Sequence, residues 1–176
     1  KGSGTDEASP VEVLNSDYIQ KQGALTIGEL TQKLSVSTGA ENNPDSFTSG
    51  STQGTSNVNL RGLGLTSTLV LVNGKRQTIA AGVANDGSVF VDTASIPMAA
   101  LERVEILKEG ATATYGSDAV AGVVNFILRD DFEGIEISAG HQSTEKSSQT
   151  TSDVSVLAGF AMGEKTNVIV AGSFLQ

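Results

Sequence analysis

Few side chains in this sequence belong to the types that catalyse reactions or bind metals. Its 176 residues include no cysteine and a single histidine, His141, which excludes thiol nucleophiles and thiolate metal sites and leaves little for imidazole chemistry. His141 stands in a stretch of alternating polar and apolar residues, which is typical of a strand surface and not of a ligand. We therefore predict no enzymatic activity, no metal site and no cofactor.

Two pairs of carboxylates invite comparison with glycoside hydrolases, which use two acidic groups. Asp130 and Asp131 are adjacent, and neighbours in a strand point to opposite faces. Glu102 and Glu105 fall at a predicted junction between a helix and a strand. We interpret both pairs as solvated charge, and a hydrolase is the least favoured class of function.

The glycines Gly62 and Gly64 have the spacing that opens a dinucleotide-binding loop, but the third glycine of that motif is replaced by Ser67. A strand also follows where the motif requires a helix. The formal charge of −9, from 20 acidic and 11 basic residues, has the wrong sign for binding a phosphate backbone. Nucleotides and nucleic acids are therefore disfavoured as partners.

The elements that would position functional side chains begin after residues 1–10, a small, polar segment that we predict to be a flexible leader. A strand is predicted over 11–14. Thr26 and Glu29 have the spacing of a capping box, and apolar residues at helical spacing then predict an amphipathic helix over 27–37, ended by Gly39.

Two long polar connections flank a pair of predicted strands. Residues 40–56 are too polar to form a core and too long for an ordinary turn. A half-exposed strand over 57–61 and a buried strand over 68–72 follow, and Asn73-Gly74 closes the second with a tight turn. The second polar connection covers residues 75–90.

The next part of the chain predicts further short elements. Ser95 caps a predicted helix that continues through Arg103, and strands are predicted over 104–108 and 123–128. The small residues between Gly110 and Gly122 indicate close backbone packing.

Three long strands of alternating polarity are predicted after residue 134. Their apolar row is Ile135, Ile137, Val154, Val156, Phe160, Val168, Val170 and Phe174. A meander whose apolar face meets lipid and a water-soluble meander with one buried face both produce this alternation. Periodicity alone favours the soluble meander.

Three segments taken together resemble one known family. NVNLRGLG (57–64), TLVLVNGKR (68–76) and SIPMAALERVEILKEGATATYGSDAVAGVVNFILRD (95–130) are similar, in this order and spacing, to the plug domain of TonB-dependent outer-membrane transporters. The family often has Arg-Gly-Pro where this chain has Lys108-Glu109-Gly110. No TonB box is recognisable, and we expect it upstream of Lys1. The resemblance makes the lipid-facing meander the preferred interpretation.

The resemblance implies an α+β, mainly β fold. A small mixed plug sheet with short helices and long polar loops over 11–133 would be followed, over 134–176, by the opening strands of a transmembrane barrel of about 22 strands. The plug would occlude that barrel and import a scarce nutrient, such as a ferric siderophore or a carbohydrate, with energy from the TonB protein. The other partners implied are the barrel itself, outer-membrane lipid and the small-molecule ligand.

The family's layout also implies site residues. Apical loops 40–56 and 76–90, with the 64–67 turn, would contact ligand through Phe47, Gln53, Gln77, Asn85 and Phe90. Arg61 and Lys108 match plug cations that pair with carboxylates of the barrel wall, and a merely solvated Arg61 is the alternative. A soluble, secreted ligand-binding or adhesion module is the competing function. In isolation, we expect the open edges of 134–176 to favour self-association.

Overall fold

A five-stranded mixed sheet and a three-stranded antiparallel sheet frame the computed structural model, which describes residues 11–41, 52–108, 111–143, 150–162 and 166–175. The larger sheet contains β1 (Val11–Asn15), β2 (Thr68–Val72), β3 (Lys75–Arg76), β4 (Leu101–Leu107) and β5 (Gly122–Leu128). Their order is β1-β4-β5-β2-β3, and only the β2–β5 pairing is parallel. The predicted mainly β, mixed α+β class is confirmed, whereas the predicted leader lies outside the described residues.

Apolar residues of this sheet are buried on both faces, as the continuous runs in β2 and β5 predict. One face packs against α1 (Ser16–Lys21) and α2 (Ile27–Gln32) through a core that includes Val70, Ile106, Val124 and Phe126. The other face packs against α3 (Ala111–Tyr115) and the 3₁₀ turn after it, through Leu69, Leu71 and Val123. Both faces of the central strands are therefore covered.

The capping box at α2 is confirmed. The Thr26 hydroxyl accepts from the Glu29 amide at 3.2 Å, and the Glu29 carboxylate accepts from the Leu25 amide at 2.9 Å. The predicted extent of 27–37 is wrong, because α2 ends at Gln32. Beyond it, backbone hydrogen bonds to residues 59 and 61 replace helical ones, namely Thr38 N to Asn59 O at 2.9 Å and Arg61 N to Val36 O at 2.7 Å.

Residues 57–61 do not form the predicted half-exposed strand. Val58 and Leu60 are buried, as are the two asparagines beside them. The segment makes one isolated bridge, between Leu60 and Ser37, and the Leu60 amide donates to the Thr68 hydroxyl at the start of β2. Alternation indicated a strand here, but Val58 and Leu60 both pack into the core formed by the larger sheet and the helices.

The helix predicted after Ser95 is also wrong. The chain forms two short 3₁₀ turns, Thr93–Ser95 and Met98–Ala100, and Leu101 already begins β4. Ile96, which precedes Pro97, is extended with ψ of 116°, since a residue before proline avoids the helical region. Strand pairing with β1 and β5 then extends the strand predicted over 104–108 toward the N-terminus.

The tight turn at Asn73-Gly74 is confirmed. Both residues have positive φ, 48° and 73°, as a two-residue hairpin turn requires. Asn73 also accepts from the Leu128 amide at 2.8 Å, and Asn125 accepts from the Gly74 amide at 2.9 Å. The turn is thereby fixed to β5 as well as to its own strands.

The predicted close packing near Gly122 is confirmed. A Cβ atom at this position would lie 2.5 Å from the Leu107 carbonyl oxygen and 2.8 Å from Leu60 Cδ1, and φ is +136°. Only glycine fits both the contact and the backbone conformation. Gly122 therefore lets β5 start directly beside β4 and the 57–60 segment.

The second sheet contains β6 (Gly134–Ser143), β7 (Thr150–Ala161) and β8 (Asn167–Leu175), paired in chain order. The row expected to face outward is exposed, for example 75% at Ile135, 49% at Phe160 and 68% at Phe174, although Val168 is only half-exposed. On the opposite face Ser155 and Leu157 are buried. Within the described part of the chain, no helix has the length and apolar character needed to cross a membrane.

Candidate functional site

The two polar connections meet in the structure. Glu41 joins them, because its carboxylate accepts from the Asn85 amide at 3.2 Å while its own amide donates to the Asn57 side chain at 2.8 Å. The Asp92 carboxylate accepts from the Ser56 amide at 3.0 Å. The ends of both loops are thus tied together by carboxylate and amide groups.

A small hydrophobic cluster supports the second loop. Phe90, Leu65 and Ala84 are buried together, with Ala80 packed against them. Backbone bonds from Ala80 to Phe90 and from Ala84 to Ser88 fold the loop back on itself. Leu65 of the 64–67 turn therefore packs against this loop, and the grouping of both loops with the turn at an apex stays a prediction.

The predicted ligand residues have different environments. Gln53, Gln77 and Asn85 are exposed, and Gln77 Nε2 donates to the Lys75 carbonyl at 3.0 Å. Phe90 is only 3% exposed, which contradicts a direct contact with ligand, because the side chain fills the cluster beneath its loop. Phe47 lies outside the described residues.

Exposed apolar side chains on the same loop were missed by the sequence reasoning. Ile79, Val83 and Val89 are 57%, 45% and 41% exposed. In the sequence they stand out only as isolated aliphatic residues in an otherwise polar connection. Together with the exposed polar residues of 52–55 and 77–89 they form what we call the loop surface.

Arg61 stands just before the 62–64 turn, in the left-handed conformation with φ of 56°. Its Nε and Nη2 donate to the Ala121 carbonyl at 3.2 and 2.9 Å, and Nη2 also reaches the Val120 carbonyl at 3.3 Å. The side chain is exposed, yet it is not merely solvated. A carboxylate on a barrel wall stays a prediction for this residue.

Arg76 holds the same segment from its other end. Its Nη1 pairs with the Asp118 carboxylate at 2.7 Å, and Nη2 donates to the Tyr115 carbonyl. Arg61 stands before the 62–64 turn, and Arg76 stands at the start of the second loop. Residues 115–121, which we call the clamped segment, are therefore bonded to that turn and to the entry of the second loop.

Lys108 has a carboxylate partner within the larger sheet. Its Nζ lies 2.6 Å from Glu12 Oε2 on β1. Both side chains are partly exposed, at 34% and 38%. The structure thus provides a partner that the sequence comparison did not predict, and the barrel-wall pairing of Lys108 stays a prediction.

The acidic pair considered for hydrolysis forms a structural cluster. Arg103 donates to Glu105 at 2.9 Å and to Glu102 at 2.5 Å, and Asn125 Nδ2 donates to Glu105 at 3.2 Å. The bond to Glu105 chiefly raises the pKa of Arg103, with Glu102 adding to it. A β-bulge between Leu101 and Arg103 brings the neighbouring side chains together. Both carboxylates are thus engaged by one guanidinium, although the predicted helix–strand junction is absent.

A cleft of about 400 Å³ separates the two sheets. The side of the larger sheet contributes Ile19, Leu25 and Met98, and the three-stranded sheet contributes Ser138 and Ser155. Arg129 closes one part of it by pairing with Glu136 at 2.7 Å. The contact between the sheets therefore includes an open space lined by both apolar and polar residues.

Among the described residues, no three histidine or acidic side chains are grouped closely enough to hold a metal ion. His141 is exposed, and its Nδ1 lies 3.0 Å from the Ser152 hydroxyl on the neighbouring strand. This geometry offers hydrogen bonding at a strand surface, as the sequence predicted for His141.

Comparison with known proteins gives consistent relatives. The chain is 38% identical over 78 residues to the iron-regulated outer membrane virulence protein of Vibrio cholerae serotype O1. This match covers 44% of this chain and 12% of that protein. A point mutant of the ferric enterobactin receptor PfeA of Pseudomonas aeruginosa, in complex with enterobactin, matches 97% of this chain and 25% of its own, with a TM-score of 0.68 and 24% identity.

Two further solved structures share the fold. The siderophore receptor PirA of Acinetobacter baumannii matches 94% of this chain and 24% of its own, with a TM-score of 0.67 and 22% identity. The unliganded ferric citrate transporter FecA matches 96% and 26%, with a TM-score of 0.68 and 24% identity. The chain thus spans about an eighth of the curated relative and about a quarter of the solved ones.

The family model of the TonB-dependent receptor plug domain matches residues 4–123, which is most of the chain. The strands and turns on which the sequence resemblance rested, β2 with its hairpin turn and β4 to β5, lie within or at the end of that match. This chain belongs to the TonB-dependent receptor plug domain family.

Proposed function

We propose that this chain supplies the plug and the first barrel strands of an outer-membrane transporter that imports a scarce nutrient with energy from TonB. The observation that carries the proposal is the three-stranded sheet, whose apolar row is exposed while Ser155 and Leu157 on its other face are buried. Such a sheet suits a wall with lipid outside and a plug inside. The function requires no covalent chemistry.

The proposed division of the chain follows the two sheets. Residues 11–133 form the plug, 134–176 begin the barrel, and 1–10 lead to a TonB box further upstream. The open cleft and the partly exposed Arg129–Glu136 pair between the sheets support a plug that moves, since a partly exposed ion pair contributes little to the stability of the contact.

The proposed ligand site is the loop surface, with Gln53, Gln77 and Asn85 as contacts and Phe90 as the support beneath them. Phe47 remains a proposed contact from the adjoining loop. The ligand is a ferric siderophore, a carbohydrate or a similar small molecule, and the loop surface faces the cell exterior. Outer-membrane lipid surrounds the barrel.

The clamped segment provides a route from the ligand loops to the rest of the plug. Arg76 bonds to it from the start of the second loop, and Arg61 bonds to it from the position before the 62–64 turn. Displacement of the second loop or of this turn by ligand would pull on these bonds and shift the segment against β5. We propose that this movement signals occupancy toward the TonB side.

A soluble adhesion module is the weaker alternative. It requires the meander to close within this chain, and in the described part of the chain β6 and β8 lie at the two ends of an open sheet. Open edges of this kind pair with further strands. Self-association of the chain in isolation through these edges stays a prediction.

Channel conductance tests the proposal. The receptor that contains this chain, reconstituted in planar bilayers, is expected to show no steady conductance, whereas a variant lacking 11–133 is expected to conduct as an open pore. Nutrient uptake by cells that carry the intact receptor should require TonB. Equal conductance of the two proteins, or uptake unchanged without TonB, would exclude a TonB-driven plug.

Arg61 tests the proposed coupling. Arg61→Ala in the receptor is expected to leave ligand affinity within about twofold and to reduce transport, because its partners lie in the plug and wall and not in the ligand. Lys75→Ala, which removes an exposed cation of the β2–β3 hairpin, is the control and should transport normally. Loss of ligand binding by Arg61→Ala with normal plug stability would place Arg61 in the ligand site.

A further inference from the structure

The loop surface contains no cationic side chain. The sequence has no lysine or arginine between Arg76 and Arg103, nor between Lys33 and Arg61. Its exposed groups are amides such as Gln53 and aliphatic side chains such as Ile79. These groups hydrogen-bond and make apolar contacts, but they do not neutralise an anion.

The charges that do lie at these loops are negative and held in place. Besides the Glu41 and Asp92 contacts given above, Asp86 accepts from the Ser88 amide at 2.8 Å. Hydrogen bonds from the Ser88 backbone and hydroxyl lower the pKa of Asp86. Each of the three carboxylates thus accepts from at least one backbone amide.

The nearest arginines do not offset this charge. Arg76 is paired with Asp118, and Arg61 donates to carbonyls of the clamped segment. Lys75 is exposed and lies in β3 beside Arg76, at the start of the second loop. The carboxylates of Glu41, Asp86 and Asp92 therefore outnumber this one lysine at the loops.

We propose that the plug side of the binding site selects a ligand without net negative charge, an inference that rests on the proposed function. Three hydroxamates neutralise Fe³⁺, whereas three catecholates give a complex of charge −3. Carbohydrates are likewise uncharged and rich in hydroxyl groups. The shared chemistry is an uncharged, hydrogen-bonding molecule, which satisfies the amides without bringing an anion beside Asp86.

The size of the selection follows from screened electrostatics. A ligand of charge −3 that binds about 7 Å from one carboxylate, in water at physiological salt, is bound about threefold more weakly than it would be without that carboxylate. The carboxylate leaves the affinity for an uncharged probe nearly unchanged. Removal of one carboxylate should therefore change the ratio of the two affinities by about threefold.

The test uses the intact receptor and three probes: an uncharged ferric tris-hydroxamate, a ferric tris-catecholate and a neutral oligosaccharide. Binding is measured by fluorescence quenching or calorimetry. Tighter binding of the hydroxamate complex or of the oligosaccharide than of the catecholate complex supports the proposal and identifies the source. Tightest binding of the catecholate complex overturns it.

Two variants isolate the contribution of the plug. Asp86→Asn keeps an acceptor for the Ser88 amide and is expected to tighten catecholate binding about threefold without affecting an uncharged probe. Ala81→Lys should do the same by adding a cation at an exposed position of the same loop, and Asp131→Asn, an exposed carboxylate beyond β5, is the matched control. No change in either variant, or an equal change in the control, overturns the proposal.

Salt provides an independent readout. Raising NaCl from about 0.05 to about 0.5 M should strengthen catecholate binding if like charges repel, and weaken it if cations attract. A weakened catecholate complex, or binding of none of the probes while TonB-dependent uptake of another nutrient persists, overturns the substrate class alone. An open conductance of the intact receptor would instead overturn the proposed function.

Discussion

Gly122→Ala tests the closest backbone approach in the plug. The new Cβ would lie 2.5 Å from the Leu107 carbonyl oxygen, which is backbone and cannot rotate away, and 2.8 Å from Leu60 Cδ1. We expect β5 to shift away from β4 and from the 57–60 segment. That shift loosens the point at which Arg61 bonds to the clamped segment.

The loss of stability expected for Gly122→Ala has two sources. A φ of +136° costs an alanine about 1–3 kcal/mol, and overpacking costs about 1–3 kcal/mol more. The expected loss in the free energy of unfolding is therefore about 2–6 kcal/mol. For a small domain with a urea slope of about 2 kcal/mol/M, a loss of about 4 kcal/mol lowers the unfolding midpoint by about 2 M.

Two other glycines separate the contributions in the same urea titration, followed by far-UV circular dichroism. Gly116 has φ of +86° and open space at its Cβ position, so Gly116→Ala should show the backbone cost alone. Gly172 has open space and no left-handed φ, so Gly172→Ala should change stability by less than about 0.5 kcal/mol. Equal losses for Gly122→Ala and Gly116→Ala would refute the steric argument.

Three further predictions concern the loops and α2. Phe90→Ala should cost about 3–5 kcal/mol and open loop 77–91 to limited proteolysis, while unchanged cleavage would contradict its supporting role. Thr26→Ala should cost about 0.5–2 kcal/mol, and Thr26→Ser should restore most of it in thermal unfolding. The pKa of Asp86 is lowered chiefly by the Ser88 amide, so its stabilisation is present above the unfolded pKa and is lost as pH falls through the folded value. An NMR titration of the Ser88 amide should follow that loss, and Asp86→Asn should abolish the transition.

Local signals in the sequence were sufficient for several elements. Asn73 and Gly74 tolerate positive φ, so their turn could be predicted without knowledge of the fold. Thr26 and Glu29 likewise determine where α2 begins. These features depend on residues within a few positions of each other, and the structure confirms them.

The predictions were wrong where the conformation of a segment depends on residues far away in the sequence. The end of α2 is decided by bonds to residues 59 and 61, and the conformation after Ser95 by pairing of β4 with β1 and β5. Phe90 belongs to the small hydrophobic cluster beneath a loop that was predicted to be a polar connection. A pattern within one segment does not record which other segment will cover it.

The candidate site shows the same division. The residue types alone determined that this chain has a net charge of −9, no thiol and one imidazole, and so determined the kind of contacts it can make. Only the tertiary structure joined the loops through Glu41 and Asn85, paired Arg76 with Asp118 and gave Lys108 a partner in Glu12. Those pairs are 42 to 96 residues apart in sequence. Local preference does not bring groups this far apart in sequence within hydrogen-bond distance, because closing such long loops costs conformational entropy. That cost is compensated only when the chain folds around a common core.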